Sequence, residues 1–571
     1  MLNLMAMTSV QGKVVGRTVT FAFPVIAGAV LGVSLVYLTV RPLWSDQTWL
    51  LFAARRLLDG ARLGSDLIET NPPLIIWMSE IPVAIGRALD IRLQVALQDC
   101  IVVLVVFSVT WSAVLLQRGA AGDRQFARWF AALMLLATVV HPWLEYGQRE
   151  HIMLLLVVPY LVIAARRIDG EAPPTGEALA AGLCAGIGFL LKPHHLLVVL
   201  AVEALVLVRG RDFQSLYRPE IAAMVATALG YVVAVWHWAP DYVLTVLPLM
   251  LNTYSDFHRA ELSELISPMR GLKVLIVVLL WVALYRRLTH HTLAAVLLLA
   301  GVGATIGYVV QLKGHEYQFV PAIAFFDLLF GVIVIDCWLQ WTARRALPIP
   351  VRVQVAGAAV MFIAAAALCY PLQLAKTARG HTDDRSVAQR TVSQGIPRMA
   401  TVLILSTSAE AFFEQVLDRD WDWGSRFSSL WMLPSIVNAE RAADHSGKVD
   451  PAAMREAADL TRIALSTDLG RWHPNPVLVE RCEDTSITPC RGMRTLRLDL
   501  LQWLKQDAGF GAAWADYVRE GEVGPYDLWC RKGESGVCRQ ILAKLHVEAS
   551  PAAAFIRNVS SDRQSPDLQR R

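Results

Sequence analysis

The sequence predicts an α-helical polytopic membrane protein of about eleven transmembrane helices, followed by a C-terminal extracytoplasmic α/β domain. Three observations predict it. The 571-residue chain is 55% hydrophobic and 18% charged, against about a quarter charged in a soluble globular chain. Its apolar residues fall in runs of roughly 17–25, the length that crosses a hydrocarbon core as a helix. Its arginines concentrate in alternate connections, as the positive-inside rule requires. The net charge of +4 makes no case for nucleic-acid binding.

The first run, Thr18 to Val40, has Lys13 and Arg17 ahead of it. It lacks the short core and small-residue cleavage site of a signal peptide, so it reads as a retained span. Further runs lie near 94–116, 129–144, 151–165, 177–191, 194–208, 219–238, 271–285, 292–311, 318–341 and 353–372. With the N-terminus inside, the inner loops carry Arg118, Arg124 and Arg128; Arg166 and Arg167; Arg209, Arg211 and Arg218; Arg286 and Arg287; and Arg344, Arg345 and Arg352. The short outer turns carry only Arg149, Lys192 and Lys313. An odd number of spans places residues 373–571 outside. The runs 177–191 and 194–208 are parted only by Lys192-Pro-His and form a tight hairpin. Glu203, inside a span, has no explanation in the sequence.

The first outer loop, about 41–93, opens with a helix that Ser45 caps and Gly60 stops. Apolar residues crowd most of its surface, so it reads as a helix in the membrane interface. Pro72-Pro73 breaks the chain, and a second apolar helix runs from Leu74 to Leu89. Trp44, Trp49 and Trp77 read as interfacial belt residues. A second long outer loop, about 239–270, holds Asp241, Tyr242, Asp256, His258, Arg259, Glu261 and Glu264. The remaining outer turns are short and polar: His141-Pro-Trp-Leu-Glu-Tyr-Gly-Gln-Arg-Glu-His151, Lys192-Pro-His-His195 and Lys313-Gly-His-Glu-Tyr-Gln318. Ionisable groups at membrane depth are expensive and tend to line a site, so this one-sided clustering is the main functional signal.

The sequence divides into a membrane module, 1–372, an extracytoplasmic α/β domain, 373–550, and a Ser-, Arg-, Asp- and Gln-rich tail, 551–571, that reads as disordered. In the domain, Ala400 to Ser406, Pro476 to Glu480 and Tyr526 to Cys530 read as strands, and 451–465 and 498–518 as helices. Asn558-Val-Ser560 matches a glycosylation sequon, a match common by chance. Cys100, Cys184, Cys337 and Cys369 lie in or beside apolar runs as packing residues. Cys482 with Cys490 and Cys530 with Cys538, each pair eight apart, suggest two short-loop disulfides in an oxidising compartment. Zinc is the alternative, but the spacing lacks paired C-x-x-C knuckles.

Asp46 stands at the mouth of the first-loop helix, where the helix dipole keeps a carboxylate ionised. It is either a helix cap or a base. An acid just after the first span, an interfacial helix ending in Leu-Leu-Asp-Gly, and then Glu69-Thr-Asn-Pro-Pro-Leu together resemble the GT-C class of membrane glycosyltransferases. The pattern is similar to the protein O-mannosyltransferases and the lipid A aminoarabinose transferases. Gly147-Gln-Arg-Glu-His151 resembles the class's second acidic loop. Gly188-Phe-Leu-Leu-Lys-Pro193 and Lys313 to Gln318 resemble its later pocket-lining turns. The resemblance covers about residues 19–372, and its motifs identify the class better than the substrate.

The resemblance implies transfer of a sugar from a polyprenyl-phosphate donor to a glycan, lipid or protein acceptor, on the outer face of a bacterial inner membrane, with inversion. It implies Asp46 as general base and, by position, Glu145 or Glu150 as second acid, Glu150 being preferred within Gly-Gln-Arg-Glu-His. Arg149, Lys192 and Lys313 are then candidates for the donor phosphate. Glu69, Glu145, His151, His194, His195 and His315 are candidate substrate contacts. Several have a structural alternative: a turn cap for Glu69, a snorkelling lysine for Lys192, interfacial packing for His194 and His195, and an ordinary wet turn for Glu145 and Glu150, against which Arg149 and His151 beside Glu150 favour a site. A divalent cation is left open as cofactor, with no dedicated ligand set evident. The aminoarabinose transferases carry a lysine before the first-loop proline; here that residue is Asn71, so phosphate binding has to come from elsewhere. The rival reading is a transporter or flippase of lipid-linked sugars, which would carry polar residues within its spans.

Overall fold

The computed structural model describes residues 43, 45–120, 122–140, 142, 145–210, 217–254, 260, 265, 268–344, 392–407, 410–441, 450–482 and 498–548. The expected spans 18–40 and 353–372, Trp44, His141, Asp256, His258, Arg259, Glu261, Glu264, Cys369, Cys490, the Asn558 sequon and the tail 551–571 lie outside them. The chain forms two compact units. The first comprises Met1–Gln47, Asn71–Trp238 and Ala260–Lys376, and the second Thr48–Thr70, Ala239–Arg259 and Thr377–Arg571.

The first unit is helical. Leu93–Arg118, Arg149–Ile168, Pro193–Gly210, Pro219–Trp238, His291–Gln311 and Glu316–Ala343 are each long and apolar enough to cross a membrane, which makes this a multi-pass membrane protein. The runs near 129–144, 177–191 and 271–285 contain the helices Arg124–Leu135, continued by the π-helical turn Leu136–Val140, Thr175–Leu190 and Pro268–Leu284. The Arg149–Ile168 helix is the centre of the unit and is buried from Arg149 to Arg166. It packs on the Leu93–Arg118, Thr175–Leu190 and His291–Gln311 helices. Pro219–Trp238 is the opposite case, apolar yet exposed along most of its length. An all-apolar helix has to be covered by protein or by lipid, and these two helices show the two solutions.

Glycine sets one close approach. A Cβ on Gly303 would lie 2.5 Å from the Leu197 carbonyl oxygen, so only glycine lets His291–Gln311 meet the 193–210 segment. Where Arg149–Ile168 ends, a buried charge network ties the helices. Arg167 donates to both oxygens of Glu220, at 3.0 and 3.1 Å. Glu203 accepts from Tyr160 and Arg218, and Arg218 also reaches Glu220 at 3.4 Å. This explains Glu203: it is a paired structural acid.

The second unit is built on five strands, β1 (Thr401–Leu405), β2 (Asp422–Trp423), β3 (Val477–Glu480), β4 (Tyr517–Val523) and β5 (Tyr526–Arg531). They form one sheet of order β2-β1-β3-β5-β4. β1 lies parallel to β2 and β3, while β3–β5 and β5–β4 are antiparallel. The β1–β3 crossover contains the helix Pro451–Trp472, as a parallel pair needs. The expected strands are present. The expected helix 498–518 is instead two short helices, Leu500–Leu504 and Ala508–Trp514, with β4 beginning at Tyr517. Asp499 and Asp507 side chains cap these helices and divide the run. Cys530–Cys538 is a disulfide that ties β5 to the helix Gly536–Glu548.

The first-loop helix, Ser45–Leu58, starts at the residue expected to cap it. After it, Gly60 at φ +94° turns the chain and donates to the Leu57 carbonyl at 2.9 Å. The interfacial reading of this helix is corrected by what covers it. Within the second unit, Trp49 packs on Phe413 and Trp423, with ring centroids 5.0 and 6.1 Å away. Arg56 pairs with Asp422 at 2.8 Å, and Ile68 bridges to Phe427. Trp49 is therefore a core residue of this unit; its apolar neighbours bury against protein.

Candidate active site

The polar turns of the first unit converge on one end of the helix Arg149–Ile168. Asp46 lies in the first turn of Ser45–Leu58. Among the described residues its carboxylate takes no backbone N–H, so it does not serve as a cap. Oδ2 instead accepts from Arg149 Nη2 at 2.9 Å.

Arg149 is placed by the turn before it. Gly147 has φ +81°, and a Cβ there would meet Gln47 Nε2 at 2.7 Å. That same nitrogen donates to the Tyr146 carbonyl at 2.7 Å. His151 Nδ1 accepts the Gly147 N–H at 3.0 Å, and its ring lies 4.8 Å from that of Tyr146. His151 thus braces the turn that aims Arg149. Glu145 helps shape it: its carbonyl accepts the Gln148 N–H at 3.0 Å. Burial pushes the Tyr146 phenol up.

The guanidinium of Arg149 also donates to Asn71 Oδ1. Asn71, where the resembled family has a lysine, is an anchor for the arginine. Arg149 is buried at 3% side-chain exposure, while Asp46 keeps 28%. The acid is the accessible member of the pair.

Lys192 sits in extended conformation before Pro193, as a residue preceding proline prefers. Its Nζ donates to Glu150 Oε1 at 2.6 Å. Burial, together with the charge of Arg149, pushes the Lys192 ammonium down to about 8, against the pull of Glu150. Both cations face one ring. Lys192 Nζ lies 4.8 Å from the Tyr317 centroid and Arg149 Cζ 5.8 Å from it. Tyr317 stacks on His315 at 5.4 Å, and Lys313 is buried in the same turn. His194 and His195 meet edge to face at 4.7 Å, and one donor atom each from Glu150, His194 and His195 lies within 4.8 Å of the others.

Asp46, Arg149, Glu150 and Lys192 are therefore brought together, with His194 and His195 beside Glu150. Glu69 belongs to the second unit, where it is buried and accepts from the Trp49 indole and the Thr70 hydroxyl. Sequence reasoning missed Tyr317 and the anchoring role of Asn71. The signal for Tyr317 was present, an aromatic inside the short polar turn Lys313 to Gln318. Two buried cations thus face one π ring, each paired with a carboxylate. The second oxygen of Asp46, with no partner among the described residues, is free to take a proton.

No family model and no curated protein matches the chain in sequence. Among solved structures it is similar to that of ArnT from Cupriavidus metallidurans in the apo state, with 14% identity, a TM-score of 0.49, and coverage of 82% of this chain and 93% of that one. The chemistry of the site is read from its own residues.

Proposed function

We propose that the chain is a membrane glycosyltransferase that moves a sugar from a polyprenyl-phosphate donor to a hydroxyl acceptor at the outer face of a bacterial inner membrane. The observation that carries this reading is the convergence of Arg149 and Lys192 on Tyr317, beside the accessible carboxylate of Asp46. The cations take the donor phosphate. The acceptor oxygen attacks the anomeric carbon as the bond from that carbon to the phosphate oxygen breaks. The electron pair leaves on the phosphate, where Lys192 and Arg149 meet the growing charge. The acceptor proton passes to the open oxygen of Asp46. Direct displacement inverts the anomeric centre.

Arg149 holds Asp46 in place, and Glu150 holds Lys192. Lys313, in the Tyr317 turn, is assigned to the outer part of the phosphate site. The test supplies membranes carrying the protein with a panel of labelled polyprenyl-phosphate sugars. Label reaching an acceptor, with release of polyprenyl phosphate and an inverted anomer, is expected from one donor. Intact lipid-linked sugar crossing the bilayer without transfer would replace this reading with a flippase.

A further inference from the structure

We infer that Glu150, His194 and His195 form a binding site for one divalent transition-metal ion of the zinc class. Their donor atoms lie within 4.8 Å of one another. The stronger observation is what these atoms lack. Glu150 is fully buried; Oε1 accepts from Lys192, but Oε2 has no hydrogen-bond partner among the described residues. His195 is 4% exposed, and its Nε2 is also without a partner among the described residues. An orphaned buried acceptor costs about 1–3 kcal/mol.

The tautomer of His195 sharpens the point. Its Nδ1–H donates to the Gly188 carbonyl at 3.4 Å, which leaves a lone pair on Nε2. A backbone carbonyl behind a ligating imidazole is the usual outer-shell arrangement at a metal. A carboxylate oxygen and an imidazole nitrogen thus each present a lone pair at the cluster. A cation satisfies both. Two imidazoles and one carboxylate match the ligand set of catalytic zinc sites, which keep an open position.

A phosphodiester donor brings one negative charge, and the polyprenyl phosphate it leaves behind brings two. The ion would supply positive charge where the phosphate leaves. That role in transfer rests on the reading above; the existence of the site does not, because binding is measured without donor or acceptor.

The experiment uses the full chain in detergent, stripped with chelator and titrated with Co²⁺, then Zn²⁺. The expected result is about one tightly held ion per chain, visible Co²⁺ bands of histidine–carboxylate type, and displacement by Zn²⁺. His194→Ala, His195→Ala and the size-conserving His195→Gln should each weaken binding by about 100-fold or more, while still unfolding cooperatively without metal. Zn²⁺ should raise the unfolding temperature of the wild type alone. No retained ion, wild-type affinity in His195→Gln, or a thiolate charge-transfer band placing the ion on cysteine would each overturn the inference.

Discussion

Raising the pH through 8 should strip the donor from the site before it harms the protein. Burial and the neighbouring Arg149 hold the Lys192 ammonium at about 8, below the ordinary 10.5. Below pH 8 the group is charged and donates to phosphate; above it the amine is neutral. The folded pKa is the lower one, so between 8 and 10.5 the unfolded chain binds more protons and this group's contribution to stability rises with pH. Donor capture moves the other way. The loss is that of a charge-assisted hydrogen bond, about 1.5–3 kcal/mol, or roughly 10- to 150-fold. Because kcat/KM reports the free enzyme, it should fall above pH 8 and level off after that loss. In the complex the phosphate retains the proton, so kcat should stay flat. Initial rates against donor concentration, measured at several pH values in detergent, give both. Lys192→Arg keeps its charge throughout and should remove the inflection. A flat kcat/KM up to pH 9.5, or the same inflection in Lys192→Arg, would refute the reasoning.

Other perturbations reach the rest of the account. Arg149→Lys keeps the charge but not the fork that spans Asp46 and Asn71; it should lower kcat by about 10- to 150-fold, whereas an unchanged kcat would mean that Arg149 does not position Asp46. Gly303→Ala places a Cβ 2.5 Å from the Leu197 carbonyl oxygen and should cost about 1–3 kcal/mol in thermal unfolding, while Gly230→Ala, with nothing within 4 Å, should not destabilise the chain. Replacing Cys530 and Cys538 together by alanine opens a loop of sequence separation 8 and should cost the second unit about 2–3 kcal/mol, read as earlier unfolding of that unit, with the first unit's transition unmoved.

How far the sequence reached depends on the range of the forces involved. The long apolar helices were legible because lipid and core impose length and composition directly. Asp46, Arg149, Glu150 and Lys192 were legible as candidates because polar residues in short turns between spans are exceptional. Their pairing was not: Arg149 meets Asp46 across 103 positions and Asn71 across 78, and no local pattern encodes that. Trp49 was misread because an apolar helix looks the same whether lipid or protein covers it. In the second unit, β1 and β3 announced themselves as buried apolar runs, whereas β4, Tyr-Val-Arg-Glu-Gly-Glu-Val, is a largely polar edge strand with little hydrophobic signal. Glu203 looked anomalous because its partners Tyr160 and Arg218 lie on other elements.

The central claim is that Asp46 takes the acceptor's proton while Arg149 and Lys192 hold the donor phosphate. Its most direct test is single-turnover transfer from the active polyprenyl-phosphate sugar by wild type and by Asp46→Asn, with donor binding measured in parallel. The account predicts that Asp46→Asn binds donor about as well as wild type and transfers it at least about 100-fold more slowly. Transfer at the wild-type rate by Asp46→Asn would contradict it.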